Sequence, residues 1–177
     1  MKRISVAVAF MAAGTAAMAN TGTIQFKGKI TDATCAIEVI DPISGSNNSM
    51  IQLGTYNKAY FTAANVRTPA RPFQLWIKDA SKCGLKDGDT VSVIYTGLDG
   101  AVGDYFQIKQ GTGAAGSVAV ALKDRNSGDI KPNTPTITYP ITSGENRLNF
   151  SASMIATAAT VTAGYVDSDI QFVVNLP

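Results

Sequence analysis

The sequence predicts an all-β sandwich. Apolar residues downstream of Asn20 recur at every second position rather than every third or fourth, which is the period of a half-buried strand. These runs are short, and clusters of turn-forming residues separate them. Together the two patterns describe many brief strands folding back on one another, the arrangement expected of two packed antiparallel sheets.

The alternation is clear in three places. Ile24, Phe26 and Ile30 share one parity, Val118, Val120 and Leu122 share another, and Ile170, Phe172, Val174 and Leu176 close the chain in the same manner. Each set places its large side chains on one face of an extended segment. The intervening turns are Asp41-Pro42, the Ser44–Asn48 cluster, Asp87-Gly88-Asp89, Asp99-Gly100, Asn126–Asp129 and Ser143-Gly144, all of residue types that stop a helix. One Ala-rich stretch, Ala152–Gly164, could be read as a helix. Its β-branched Thr157, Thr160, Val161 and Thr162 weaken that reading, and a strand pair or irregular chain is expected there. In Phe73–Ile77 the odd positions share a face and Trp76 takes the other, as a sandwich residue covered by a loop or as a partner contact.

The first residues indicate export. Lys2 and Arg3 form a basic head, Ile4–Ala13 an apolar run of ten, and Ala17-Met18-Ala19 a small-x-small cleavage pattern, so residues 1–19 are expected to be a signal peptide cut after Ala19. The apolar run is too short to anchor the product, because a spanning helix needs about twenty residues. Cleavage leaves 177 − 19 = 158 residues, which suits one domain with one core. The charge of +2 falls to zero when Lys2 and Arg3 leave. No basic field then remains to attract nucleic acid or anionic lipid, so neither is an expected partner.

Cys35 and Cys83 are the only cysteines and there is no histidine. In an oxidising compartment such a pair bonds, and the chain-entropy model gives roughly 4 kcal/mol of stabilisation for this loop. A zinc site would need ligands the chain does not offer.

Sites of chemistry are scarce. Gly111-Thr112-Gly113-Ala114-Ala115-Gly116 spells G-x-G-x-x-G, but the alternating run after it is a strand, whereas a dinucleotide site needs a helix there. The motif is expected to be a loop, and no cofactor is implied. Without histidine the usual general base is missing, and Asp99, Asp104 and Asp124 read as turn and loop residues, so the chain is not expected to be an enzyme. Arg67, Arg71, Lys78 and Lys82 form the densest basic stretch. They are either a solvated face or a contact for an acidic host glycan, since arginine grips carboxylates with two prongs.

At Gly22-Thr23-Ile24-Gln25-Phe26-Lys27-Gly28-Lys29-Ile30-Thr31-Asp32-Ala33-Thr34-Cys35 the chain resembles the start of mature chaperone-usher fimbrial subunits, the type 1 pilin family. It looks most like the major subunits of thin enterotoxigenic fimbriae. Ile51-Gln52-Leu53-Gly54 with Tyr56, Pro72–Leu75 leading to Cys83, Gly116–Asp124, Leu148–Ala152, and Ala163–Val166 with Phe172 extend the match in order over nearly all of the mature chain.

The resemblance implies an incomplete immunoglobulin-like β-sandwich that lacks its last strand and is completed by a donated N-terminal strand from a neighbouring subunit. Residues 20–33 would be that donor, with Ile24, Phe26 and Ile30 on its inward face and Gly28 where the backbone must approach closely. Residues 34–177 would be the sandwich. Burial of the three side chains would stabilise by roughly 1.5–3 kcal/mol each, and the added strand would satisfy open backbone groups. Alternation alone fits an ordinary first strand of its own domain equally well.

The family further implies a homopolymer, a periplasmic chaperone contacting the C-terminal strand (Ile170, Phe172, Val174, Leu176), an outer-membrane usher, and display on an extracellular fimbrium that serves adhesion. Leu176 departs from the pattern, since the penultimate residue is commonly aromatic, and leucine loses the phenolic hydroxyl. The expected function is therefore that of a shaft pilin. The alternative is a minor or adaptor subunit that binds a host glycan itself.

Overall fold

Eleven short strands and two single 3-10 turns make up the computed structural model, which describes residues 35–47 and 49–177. The predicted signal peptide, its cleavage site and the donor residues Ile24, Phe26, Gly28 and Ile30 lie outside the described residues. In chain order the strands are β1 (Ile37–Asp41), β2 (Ser46–Asn47), β3 (Arg71–Ile77), β4 (Thr90–Gly97), β5 (Ala101–Val102), β6 (Tyr105–Gln107), β7 (Val118–Lys123), β8 (Asp129–Ile130), β9 (Tyr139–Pro140), β10 (Asn146–Ala156) and β11 (Ile170–Asn175). Every strand pairing is antiparallel.

Two sheets form. The larger runs β2-β1-β3-β10-β7-β6-β5, with β8 also on β7; the smaller runs β11-β4-β9. The period-two runs explain both. In β3, Phe73, Leu75 and Ile77 turn inward, and in β4 Val91, Val93 and Tyr95 do the same. β10 contributes Leu148, Phe150 and Ala152. Aromatic rings fill the middle: Phe73 stacks on Phe150 at 5.5 Å, and Tyr95 and Tyr139 approach Phe150 at 5.4 and 5.3 Å. Offset and edge-on pairs of this kind add attraction beyond their buried area. The Tyr95 hydroxyl is buried without a hydrogen-bond partner among the described residues, and burial raises its pKa well above the ordinary tyrosine value.

The Ala-rich stretch divides as expected for non-helical chain. Ala152–Ala156 ends β10, and the residues after it are irregular, returning to hydrogen-bond near β7 at Gly116 and Thr162. Where β3 stops, residues 65–68 take its place along β10. Asn65 donates to the Ala156 carbonyl at 2.8 Å and Thr68 to the Met154 carbonyl at 3.0 Å. The alternation in β7 is half the story. Val118, Val120 and Leu122 join the core, while Ala119 and Ala121 are also buried, in a small second cluster with Ile155 and Tyr105.

Candidate functional site

The core is not closed evenly. β11 alternates, with Ile170, Phe172 and Val174 facing the interior, yet all three are only half-buried. They pack on the same cluster that buries Val93 at 0 % and Tyr95 at 3 % exposure. The edge of the larger sheet has the same character. Ile37 and Val39 of β1, and Ile51 and Leu53 downstream of it, are half-buried against that one core.

Backbone pairing stops at the same places. β11 is an edge strand whose partner among the described strands is β4, in register from Ile170 opposite Gly97 to Asn175 opposite Ser92. β1 pairs with β3, and among the described strands β2 covers only Ile40 and Asp41 of its other side. Half-buried apolar side chains beside open edges are what an extended segment of period two can use: alternate side chains fill the gaps while its amides and carbonyls extend a sheet. Sequence reading identified Ile170, Phe172 and Val174 but not Ile37, Val39, Ile51 and Leu53, although two such pairs at period two flanking the Asp41–Ser49 turn region were a usable signal. Leu176 lies one residue past β11 and is 41 % exposed.

Cys35 and Cys83 form the expected disulfide, with Cα atoms 4.6 Å apart. It ties Cys35, two residues before β1, to the 3-10 turn Ser81–Cys83 after β3. The N-terminal end of the described domain is therefore fixed at Cys35.

The four basic residues are not gathered into one patch. Arg71 opens β3 and Arg67 lies four residues before it, whereas Lys78 and Lys82 lie beyond its end, with a strand about 20 Å long between the two pairs. Three already face carboxylates. Arg67 grips Asp129 with both prongs, at 2.6 and 2.8 Å, and reaches the Tyr105 hydroxyl at 3.4 Å. Lys78 pairs with Glu38, and Lys82 with Asp79 at 3.6 Å. Arg71 borders a shallow hollow of about 110 Å³ with Asp41, Ile51 and Gln52.

Trp76 does lie on the outward face of β3, but its cover is cationic rather than a loop. The Lys78 ammonium sits 4.8 Å and the Arg147 guanidinium 5.1 Å from its ring centre. Register explains this, because Arg147 of β10 stands directly opposite Trp76. The Gly111–Gly116 segment is a loop, as expected, and leads into β7. The carboxylates marked as turn residues act as such. Asp124 accepts from the amides of Asn126 and Gly128 at 2.8 and 2.9 Å, and Asp99 from the amide of Asp169 at 3.4 Å. Asp104 pairs with Lys131 at 2.9 Å. No helix among the described residues is long and apolar enough to cross a membrane.

Known proteins share both the sequence pattern and the fold. The sequence profile described as "Fimbrial protein" matches residues 24–176. The chain is 29% identical over 177 residues to "Probable major fimbrial subunit LpfA" of Escherichia coli O157:H7, covering 97% of this chain and 95% of that one. It is 30% identical over 159 residues to "Fimbrial subunit type 1" of Salmonella typhimurium, covering 87% and 82%. Among solved structures, the P pilus rod subunit PapA superposes with a TM-score of 0.60 at 20% identity, over 82% of this chain and 100% of that one. An antigen and type I fimbria protein of Burkholderia pseudomallei superposes at 0.56 with 27% identity, over 82% and 90%. The incomplete sandwich, its half-covered edges and a profile match from the predicted donor segment to the end of β11 converge on one conclusion: the chain belongs to the fimbrial protein family.

Proposed function

We propose that this chain is the main shaft subunit of a surface fimbrium and that it polymerises by lending residues 20–33 to the open edges of a neighbouring copy. The observation that carries this reading is the half-burial of Ile170, Phe172 and Val174 on β11 together with Ile37 and Val39 on β1, all against one core. A strand presenting Ile24, Phe26 and Ile30 supplies apolar side chains at the matching period, and its backbone supplies the hydrogen bonds that β11 lacks, among the described residues, on the side away from β4. Gly28 lets that strand come close where a side chain would not fit.

The Cys35–Cys83 bond supports the same reading, since it fixes the point from which the donor leaves its own domain. Before assembly a periplasmic chaperone covers the exposed edges, an outer-membrane usher passes subunits to the surface, and the finished fibre serves adhesion. Such a role involves no catalysis. The relatives include a protein named as a probable major subunit, which favours the shaft over a scarce adaptor.

Deleting residues 20–31 from the mature chain tests donation. The truncated subunit is expected to accumulate with its chaperone and to be absent from fibres built by its neighbours. Fibres made of the truncated chain would overturn the proposal. Electron microscopy of cells without the gene separates shaft from adaptor, because loss of all fibres marks the former and a change only in number or length the latter.

A further inference from the structure

Far from the open edges in function, though on the segment that leads into β11, one aromatic ring stands almost free. Tyr165 is 77 % exposed, the highest value among the large apolar and aromatic side chains of the described residues. It flanks a shallow hollow of about 140 Å³ whose rim includes Lys109, Gln110, Thr112 and Asp167.

The ring is held in place although it is exposed. The Tyr165 amide donates to the Gly113 carbonyl at 2.8 Å, and its carbonyl accepts from the Ala115 amide at 2.9 Å. The ring edge lies over Gly113, where an added Cβ would stand 3.5 Å from it. Gly164 permits this course, because a Cβ there would run into the Ala114–Ala115 peptide. A third stitch joins the far wall, with the Lys109 amide donating to the Asp167 carbonyl at 2.7 Å.

The polar groups on the rim are open to a ligand. The Asp167 carboxylate and the Thr112 hydroxyl make no hydrogen bond or ion pair among the described residues. Gln110 spends a side-chain Nε2 N–H on the Ile108 carbonyl at 2.9 Å, which leaves its side-chain oxygen as a further acceptor. Lys109 is oriented by an ion pair with Asp169 at 2.8 Å.

We infer that Tyr165 and the rim of this hollow form a carbohydrate-binding subsite for a neutral β-linked hexose or N-acetylhexosamine. The apolar face of a pyranose ring presents polarised C–H bonds, which suit the electron-rich face of tyrosine. Its hydroxyls are donors, which suit the acceptors of Asp167 and Gln110. An acidic sugar is disfavoured because the Asp167 and Asp169 carboxylates outnumber the Lys109 ammonium they share.

One ring and a shallow hollow give weak binding to a single sugar. Repetition changes this. If the chain polymerises as proposed above, every subunit carries a copy, and many weak contacts to a glycan-coated surface raise retention by factors of about 10²–10⁴ without any new contact. The subsite itself does not depend on assembly, and it is separate from the basic residues Arg67, Arg71, Lys78 and Lys82.

The test uses purified fibres of the wild-type, Tyr165→Ala, Tyr165→Phe and Asp167→Asn chains, with methyl β-D-galactopyranoside and methyl N-acetyl-β-D-glucosaminide as probes in saturation-transfer NMR. Transfer to the ring protons of at least one probe is expected with wild-type and Tyr165→Phe fibres, several-fold weaker with Asp167→Asn, and lost with Tyr165→Ala. Wild-type fibres that assemble but transfer to neither sugar would overturn the subsite while leaving the assembly reading intact. Undiminished transfer with Tyr165→Ala would overturn it too, as would failure of that variant to form fibres, which would make the ring a subunit contact.

Discussion

Phe172 stands opposite Tyr95 in the β11–β4 ladder, with ring centres 6.5 Å apart, yet Tyr95 is 3 % exposed while Phe172 is only half-buried. The two residues belong to one core, and the difference between them measures how far that core remains open at its edge.

The first prediction follows from that difference. A fully buried phenylalanine cut to alanine costs about 3–5 kcal/mol. Phe172→Ala is expected to cost well under that in the separate subunit, on the order of 1–2 kcal/mol, and close to the full amount once a donated strand covers it. Urea denaturation of the mature subunit and urea dissociation of fibres should therefore show unequal losses, larger in the fibre. Equal losses would mean that the edge is not covered on assembly.

Arg67 and Asp129 supply a prediction about acid. The two-pronged bond from Arg67 holds the Asp129 carboxyl below its ordinary value, with Lys123 adding to the effect. Because the folded pKa is depressed, the contribution to stability is complete above the unfolded value near 3.8. It is lost as the pH falls through the folded value. The carboxylate is 38% exposed, so solvent screening keeps the gain to about 1 kcal/mol. Asp129→Asn is expected to lower stability at neutral pH by about that amount and to flatten the decline between about pH 5 and 2. Urea midpoints across that range check both.

Part of this molecule was legible beforehand, and the divide has physical causes. Alternation at Val118–Leu122 and Ile170–Val174 marks strands because large apolar side chains can be sorted by parity, and both segments are strands. The same test is blind at Ala119 and Ala121, since alanine is small enough for either face, and both are buried. The cysteine pair was readable because a closed list of two leaves one bond. The cover of Trp76 was not, because Arg147 reaches it through a register between strands 71 residues apart in sequence. Likewise, nothing local at Asn65–Thr68 announces that these residues continue the edge of β10. The open edge lies between the two cases. Its alternation is visible, but half-burial is a property of what is missing beside a strand, and only the fold reveals it.

The disulfide gives the last prediction. Cys35 begins the described domain, and its bond to Cys83 closes a loop of 48 residues. Removing such a link from the unfolded chain's constraints costs roughly 4 kcal/mol in the chain-entropy model. Its position adds a second effect. Cys83 is nearly buried beside Ala80 and Leu85, whereas Cys35 lies where β1 starts, one turn of chain from an open sheet edge. Reduction frees that start, so Ile37 and Val39 lose the anchor that keeps them against the core even before the whole domain unfolds. The Cys35→Ser, Cys83→Ser double variant is expected to melt at a lower temperature, and hydrogen exchange at Ile37–Val39 is expected to speed up more than at Leu75 or Val93. If all five amides quickened equally, the bond would act on the unfolded chain alone, and the edge strand would owe it no local order.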